Sequence, residues 1–213
     1  MAKLIIHGFP PSSYTWTARA ICAVKGVDYD FDITPPQVIR TPDYINTIHP
    51  YSKVPALTHG DVHFYETLAI GRYVDAAFDG PALQPTTPAD IGKMAQWISI
   101  ANAYFYAQVV PAYVFEYIFP KGEGGTVRKD KVAEALPAIQ KTVNLMNEAL
   151  ADGPFILGAS ISLADLFIGP LLFGLANLPE GKEMVAAAPN VARLRDALLE
   201  VDGFMSSAPT REG

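Results

Sequence analysis

The stretch KLIIHGFPPSSYTWTARAICAVKGVDYDFDI, residues Lys3–Ile33, decides the fold of the first part of the chain. It opens with a short apolar run, KLIIHGF, and closes with VDYDFDI, which alternates apolar residues with aspartates as a half-exposed strand does. Between them, Tyr14–Lys25 has apolar residues at helical spacing and ends at Gly26. The stretch therefore predicts a βαβ unit.

The pattern then changes along the chain and predicts two domains. VPALTHGDVHFYE indicates two short strands around a turn at His59–Asp61, followed by a helix from Thr67. In FDGPALQPTTPAD glycine and proline accumulate, and beyond it only helical patterns occur, one of them opened by a capping box of Ser162 and Asp165. We predict an α/β domain at 1–78, a linker at 79–88 and an all-α domain at 89–213.

Composition limits the class of protein. The chain has 213 residues, half of them hydrophobic, and a net charge of −6, which argues against a nucleic-acid partner. The N-terminal residues lack the apolar core length of a signal peptide, and no stretch reaches the roughly 20 apolar residues of a membrane span. The single cysteine, Cys22, lies in an apolar run and predicts a buried thiol in a reducing compartment. We therefore predict a cytoplasmic protein that binds neither nucleic acid nor membrane.

The chain has four histidines, His7, His49, His59 and His63. Their spacing does not match a metal-ligand pattern, and with one cysteine present no metal site is predicted. We interpret His59 and His63 as solvated turn residues, whereas the pattern does not assign His7 to a face of the first strand.

Ser12 and Ser13 stand directly before the first predicted helix. A serine at this position usually caps the helix. The adjacent sequence offers no acid or histidine to deprotonate it, which argues against a serine hydrolase. A hydroxyl at a helix N-terminus can also donate a hydrogen bond to a bound anion such as a thiolate, and the helix dipole acts in the same direction. Both interpretations remain open on the residues alone.

Two further segments could bind a ligand. Pro55, at the start of a strand, suits an edge or a tight turn with a cis peptide bond, and would leave the backbone of Val54 free to pair with an extended peptide. Glu66 and Thr67, at a helix start, could hold the ammonium and carboxylate groups of an amino acid. The alternatives are an ordinary edge proline and an N-cap threonine beside a solvated glutamate.

The order of these segments resembles one enzyme family. SSYTWTARAICAVKGVDYD, INTIHPYSKVPAL, YETLAIGRYV and SISLADL are similar to successive motifs of the cytosolic glutathione S-transferases of the serine type, and in motif are closest to the zeta class. The resemblance implies a thioredoxin-like N-terminal domain that binds glutathione as co-substrate. It also implies an all-helical domain for the second substrate, and a homodimer.

The resemblance implies that Ser12 is the catalytic hydroxyl that stabilises the glutathione thiolate. It further implies that Val54 pairs with the cysteinyl backbone and that Lys53 contacts the glycyl carboxylate. Glu66 with Thr67 would hold the γ-glutamyl end. The full glutathione-binding set is Ser13, Tyr14, Lys53, Val54, Pro55, Glu66 and Thr67. Two residues depart from the zeta motif: Tyr14 replaces a cysteine, which argues against zeta-type isomerisation, and His49 stands where an asparagine usually precedes the proline.

The run NAYFYAQVVPAYVFEYIFP contains more aromatic residues than one helix face can bury. Tyr104, Tyr113 and Tyr117 are therefore candidates for an apolar pocket that takes the second substrate. Packing in the core or at a dimer interface explains them equally well.

The leading hypothesis is a detoxifying glutathione S-transferase that activates the thiol with a serine hydroxyl for attack on an electrophilic, apolar or aromatic substrate. A free thiol with a pKa of about 8.5 is mostly protonated at neutral pH, so the enzyme must lower it. One alternative is a glutathione-dependent cis–trans isomerase of the maleylacetoacetate or maleylpyruvate type. The other is a non-catalytic binding protein of the same fold.

Overall fold

The computed structural model describes residues 3–209, which form two compact units. The described residues of Met1–Gln84 and Leu199–Gly213 make the first unit, and Pro85–Leu198 makes the second. The first unit is thus discontinuous in sequence. Residues 199–209, which we assigned to the all-α domain, belong to the first unit instead.

The first unit is built on a four-stranded sheet with the order β2-β1-β3-β4. The strands are β1 (Leu4–Gly8), β2 (Tyr29–Ile33), β3 (Ala56–His59) and β4 (Val62–Tyr65). β1 is parallel to β2 and antiparallel to β3, and β3 is antiparallel to β4. The helices are α1 (Ser13–Val24), α2 (Pro42–Thr47) and α3 (Thr67–Ala77). The predicted βαβ unit, hairpin and following helix are confirmed.

Local signals explain where α1 begins and ends. The Ser12 hydroxyl caps its first turn, and Gly26, at φ 71°, takes the left-handed conformation that ends it. The Val27 N–H then donates to the Cys22 carbonyl at 2.9 Å. Cys22 is fully buried, and burial raises the pKa of its thiol to about 12. The thiol is therefore a packing group, as its apolar neighbours predict.

The C-terminal segment completes the core around α1. The indole Nε1–H of Trp16 donates to the Phe204 carbonyl at 3.2 Å, and the two rings lie 5.1 Å apart. Gly203 passes so close to α1 that a Cβ there would lie 2.6 Å from the carbonyl carbon of Ala23. Burial of Phe204 against α1 is the physical reason why this segment belongs to the first unit.

The second unit consists of helices, as predicted, apart from an isolated antiparallel β-bridge between Phe155 and Gly158. Its elements are α4 (Pro88–Ile100), a π-helical stretch (Ala101–Phe105), α5 (Tyr106–Val109), a second π-helical stretch (Val110–Val114), α6 (Phe115–Ile118), a 3₁₀ turn (Glu123–Gly125), α7 (Lys129–Ala149), α8 (Leu163–Ala176), α9 (Pro179–Ala186) and α10 (Pro189–Leu199). Within residues 3–209, no single helix is long and apolar enough to cross a membrane; α8 and α9 meet that measure only when counted together, across a bend of 120°.

The start of α8 is fixed by a buried polar cluster. The Asp165 carboxylate accepts hydrogen bonds from the Ser162 N–H, the Ser162 hydroxyl and the Ile156 N–H, each at 2.8 Å. Burial raises the pKa of Asp165 to about 6, against the opposing effect of these donors. The predicted capping box is confirmed, and it also ties the preceding loop to the helix.

Candidate functional site

The registers of the sheet bring three segments to one edge. His7 of β1 lies opposite Ala56 of β3, and Ala56 lies opposite Tyr65 of β4. β1 and β4 end at this row while β3 begins there, so the chain leaves or enters all three strands at the same edge. The segments that lead out of or into these strand ends include Ser12–Tyr14, Lys53–Pro55 and Glu66–Thr67. They contain the predicted catalytic and glutathione-binding residues.

Ser12 is the half-buried N-cap of α1. Its Oγ accepts a hydrogen bond from the Thr15 N–H at 3.3 Å, and its own N–H donates to the Phe9 carbonyl at 2.9 Å. The capping bond uses a lone pair of the oxygen and leaves the hydroxyl hydrogen available to donate. Within residues 3–209 that hydrogen has no acceptor. Capping and anion binding are therefore compatible roles for the same group.

Ser13 and Tyr14 are the first two residues of α1, and both are half-buried. The Ser13 carbonyl accepts a hydrogen bond from the Thr17 hydroxyl at 3.1 Å, inside the helix. Tyr14 follows Ser12 by two positions, so its phenol arises from the same helix turn as the Ser12 hydroxyl.

The Lys53–Pro55 segment offers an unpaired stretch of backbone. The Val54–Pro55 peptide bond is cis, Pro55 is buried, and the Lys53 carbonyl accepts from the Tyr44 hydroxyl at 2.7 Å. Among the residues that the structure describes, the backbone N–H and C=O of Val54 have no hydrogen-bond partner. The Lys53 side chain is exposed. The backbone of this segment can therefore form hydrogen bonds with an extended peptide ligand, in the way that one β-strand pairs with another.

The junction between β4 and α3 is strained. Glu66 has φ 72° and ψ 117°, a conformation that costs a non-glycine residue of the order of 1–3 kcal/mol. No side chain caps α3, whose first residue is the buried Thr67. The first N–H groups of the helix therefore lack intrahelical partners and can receive a carboxylate.

His49 joins two of these segments, and its role could not be assigned from sequence. The residue is buried, its Nδ1 accepts from the Tyr51 N–H at 3.3 Å, and its ring lies 5.0 Å from that of Tyr65. Burial lowers the pKa of the imidazole, while the nearby Glu66 carboxylate acts in the opposite direction. The proline that follows His49 was the available signal for a constrained turn.

A chain of hydrogen bonds crosses the sheet on one face. His7 places Nδ1 2.7 Å from an Asp32 carboxylate oxygen and Nε2 3.0 Å from the Thr58 hydroxyl. The Thr58 hydroxyl lies 3.1 Å from Nδ1 of His63, whose Nε2 lies 2.7 Å from the Ile48 carbonyl. Every strand contributes one side chain, and the chain of bonds ends next to His49.

The assignment of His59 and His63 to a turn is wrong, although His63 is exposed as predicted. Both lie in strands, His59 at the end of β3 and His63 in β4. His59 also places Nδ1 2.7 Å from the hydroxyl of Tyr73 on α3. The turn between the strands is shorter than the sequence suggested, so each imidazole gains a fixed partner.

The three tyrosines proposed for the substrate pocket have different environments in the second unit. Tyr113 is fully buried, and its hydroxyl donates to Glu180 and accepts from the Gly181 N–H, each at 3.0 Å. This favours the core alternative for Tyr113. Tyr117 is half-buried and donates to the same carboxylate at 2.5 Å. Tyr104, in the first π-helical stretch, is 60% exposed and presents the largest open aromatic surface of the three.

Comparison with known proteins finds a matching domain family for each of the two units. The model of the glutathione S-transferase N-terminal domain matches residues 6–82, and that of the C-terminal domain matches residues 129–197. The chain is 26% identical to glutathione S-transferase 3 of Zea mays, covering 97% of this chain and 94% of the relative. It is 24% identical to the maleylacetoacetate isomerase of Rattus norvegicus, covering 99% and 94%.

Solved structures share the fold. The chain superposes on poplar glutathione transferase F1 with a TM-score of 0.85, at 20% identity and 97% coverage of both chains. It also superposes on the theta class glutathione S-transferase of Xanthomonas axonopodis pv. citri, solved with glutathione bound, with a TM-score of 0.82 at 23% identity and full coverage of both chains. The two domain models together cover more than half of the chain. The chain therefore belongs to the glutathione S-transferase family, which confirms the predicted fold class and enzyme class.

Proposed function

We propose that this chain is a serine-type glutathione transferase in which Ser12 stabilises the glutathione thiolate for attack on an electrophilic, apolar or aromatic substrate. Glutathione itself follows from the family. The observation that supports the finer assignment is the row of His7, Ala56 and Tyr65 across the sheet, because the helix cap, the unpaired backbone and the strained junction all lie in segments that adjoin these strand ends.

Each part of glutathione has a matching group at this edge. The backbone N–H and C=O of Val54 pair with the cysteinyl residue and place its sulfur near the start of α1. The Glu66 carboxylate binds the ammonium group of the γ-glutamyl end, and Thr67 with the first N–H groups of α3 binds its carboxylate. The exposed Lys53 ammonium reaches the glycyl carboxylate. Ser13 and Tyr14 complete the set at the start of α1.

Ser12 lowers the pKa of the bound thiol by donating to the thiolate. Its oxygen already accepts from the Thr15 N–H, and this bond polarises the hydroxyl toward donation. The N-terminal end of α1 adds a favourable dipole. A shift of one to two units from about 8.5 makes a large part of the thiol ionised at neutral pH. The chain then needs only to position the electrophile.

Replacement of Ser12 tests this proposal. Ser12→Ala should raise the apparent pKa in the pH–rate profile and cut turnover by about one to three orders of magnitude, with a smaller effect on glutathione affinity. Ser12→Thr is the matched variant that keeps the hydroxyl, and it should retain most of the rate. An unchanged pH–rate profile in Ser12→Ala would remove Ser12 from the mechanism and make Ser13 and Tyr14 the next candidates.

A second candidate function is glutathione-dependent cis–trans isomerisation. The similarity to a maleylacetoacetate isomerase and the zeta-like motif of the first helix favour it. Tyr14 in the place of the zeta cysteine argues against it, because a phenol beside the thiolate narrows the space for a small cis-dicarbonyl acid. The family assignment argues against the non-catalytic binding protein, and turnover with an electrophile panel would test this directly. The exposed Tyr104 is the aromatic candidate for contact with that electrophile.

The proposal includes assembly and location. We propose a homodimer, supported by the family assignment, and a cytoplasmic location, supported by the single, buried cysteine that suits a reducing compartment. The partners are then glutathione, a small electrophile and a second copy of the chain.

A further inference from the structure

His49 is held from several directions at the edge of the sheet. Its backbone N–H donates to the Tyr44 carbonyl at 3.0 Å, and its carbonyl accepts from the Ser52 N–H at 3.0 Å. Its Nδ1 accepts from the Tyr51 N–H at 3.3 Å, and its ring packs on that of Tyr65 at 5.0 Å. The side chain is 2% exposed, so these contacts fix its orientation.

The bond from the Tyr51 N–H to His49 has the spacing of an Asx-turn. In that turn the side-chain oxygen of an asparagine or aspartate accepts the N–H two residues further on. Here an imidazole nitrogen occupies the place of the oxygen. Because Nδ1 accepts a hydrogen bond, it carries no proton, and the neutral ring must carry its hydrogen on Nε2.

His49 connects two segments of the proposed glutathione site. On one side, Ser52, in the left-handed conformation at φ 52°, leads directly into Lys53 and Val54. On the other side, Tyr65 precedes the strained Glu66. A change in the His49 turn therefore moves the Val54 backbone relative to the Glu66 carboxylate.

We propose that His49 is a positioning residue for glutathione binding: its neutral imidazole holds the Lys53–Pro55 segment in register with Glu66, and protonation of the ring releases that segment. This inference rests on the proposed function, because it takes those two segments as the glutathione site. His49 itself acts through the turn and through Tyr65 without touching the substrate.

Protonation of His49 would break the hydrogen bond that closes the turn, for a geometric reason. A proton on Nδ1 would face the Tyr51 N–H, so two donors would meet where a hydrogen bond now stands. Among the charged groups around the His49 ring, Glu66 favours the imidazolium, whereas Lys53 and His63 disfavour it. The phenol rings of Tyr51 and Tyr65 pack against the imidazole. Burial outweighs these charges and lowers the pKa, so the ring is neutral at neutral pH and gains its proton only on the acid side of the ordinary histidine range.

Glutathione affinity should therefore fall on acidification in a way that depends on residue 49. S-methylglutathione is a suitable probe because it has no titrating thiol. Calorimetry between about pH 5 and 8 should show an acid-side loss of about tenfold in the unaltered protein beyond the loss seen in His49→Asn. His49→Asn keeps an acceptor for the Tyr51 N–H but cannot titrate, so its neutral-pH affinity should match that of the unaltered protein.

His49→Phe is the matched variant that keeps a ring but has no acceptor, and it should bind about tenfold more weakly at every pH. Binding by His49→Phe at the unaltered level would overturn the inference, as would an equal acid-side loss in His49→Asn. Failure of the unaltered protein to bind S-methylglutathione at any pH would overturn the proposed function as well. This outcome therefore distinguishes failure of the proposed function from failure of the proposed role of His49.

A measurement on the unaltered protein without ligand covers the case in which a variant does not fold. Nitrogen NMR shifts of the His49 ring at neutral pH should show an unprotonated Nδ1, and the Tyr51 amide shift should titrate with the same midpoint as the ring. A proton on Nδ1 at neutral pH, or a Tyr51 amide that does not follow the ring, would contradict the proposed role.

Discussion

At the scale of single residues, Ser12 shows how one hydroxyl can cap a helix and still serve a ligand. Its oxygen accepts the Thr15 N–H, which satisfies one of the unpaired donors at the start of α1. Its hydrogen remains available at the sheet edge. The helix cap therefore depends on the oxygen of the hydroxyl, whereas the proposed chemistry depends on its hydrogen. A variant of Ser12 must be tested for both stability and activity.

The γ-glutamyl assignment predicts a loss of affinity at the β4–α3 junction. Glu66→Ala and Thr67→Ala should each weaken glutathione binding by about 1–3 kcal/mol, because each removes a partner from a charged group of the ligand. Calorimetry on purified variants measures this. Asp61→Ala, which removes an exposed carboxylate from the adjacent hairpin turn, is the control and should bind normally. Unaltered affinity in both junction variants would remove the assignment.

Tyr14 decides between conjugation and isomerisation. In the proposed site its hydroxyl would be a further donor near the thiolate, and its ring would reduce the space there. Conjugation of an aromatic electrophile should therefore exceed isomerisation of a small cis-dicarbonyl acid, and Tyr14→Cys should shift the ratio toward isomerisation. Both assays are needed on both proteins. Efficient isomerisation by the unaltered chain that Tyr14→Cys leaves unchanged would favour the isomerase function instead.

At the scale of elements, the cluster at the start of α8 is a buried polar feature on which stability should depend. Asp165 accepts hydrogen bonds from Ser162 and Ile156 and has no exposed surface. Removal of the carboxylate leaves these donors buried without a partner, which costs more than the net value of the bonds themselves. The helix start and the loop before it therefore depend on one side chain.

Asp165→Ala should lower the free energy of unfolding by about 2–4 kcal/mol, measured by urea denaturation at neutral pH. Thr87→Ala is the matched control, since Thr87 caps α4 through a bond to the Asp90 N–H at 3.2 Å but is exposed. That variant should lose about 1 kcal/mol or less. Equal losses in the two variants would show that burial of the Asp165 cluster adds nothing to ordinary capping.

The positions of helices and strands were predictable where a periodic pattern of apolar residues, a glycine or a capping residue marks them. The alternation in VDYDFDI, Gly26 after α1 and the spacing of Ser162 and Asp165 correspond to observed structure. The two π-helical stretches were missed because one inserted residue per turn leaves the aromatic pattern helical. The histidines of β3 and β4 were misassigned because their partners, Tyr73, Thr58 and the Ile48 carbonyl, are set by pairing and packing of strands rather than by sequence neighbours.

At the scale of the whole molecule, contacts distant in sequence decide which residues form a unit. Trp16 and Phe204 are 188 positions apart, and neither the indole–carbonyl bond nor the ring contact has a local signal. The segments of the candidate site could be placed together because successive motifs resemble one family. The C-terminal segment carries no such motif, so its return to the first unit could not be predicted.

Assembly gives a prediction at the same scale. Sedimentation at micromolar concentration should give about twice the chain mass of 23.0 kDa, because the family assignment supports a C2 homodimer. Dilution should reveal dissociation only at concentrations well below this, and a stable monomer at micromolar concentration would contradict the proposed assembly.

The discontinuous first unit has a consequence for how the chain is made. A ribosome releases the sheet and α1 first, then the helical unit, and only after that unit the segment with Gly203 and Phe204. Until then the indole of Trp16 lacks its carbonyl acceptor and its aromatic neighbour. The nascent N-terminal unit must therefore persist with an incomplete core throughout synthesis of the helices, and its final packing waits for synthesis of the segment with Gly203 and Phe204.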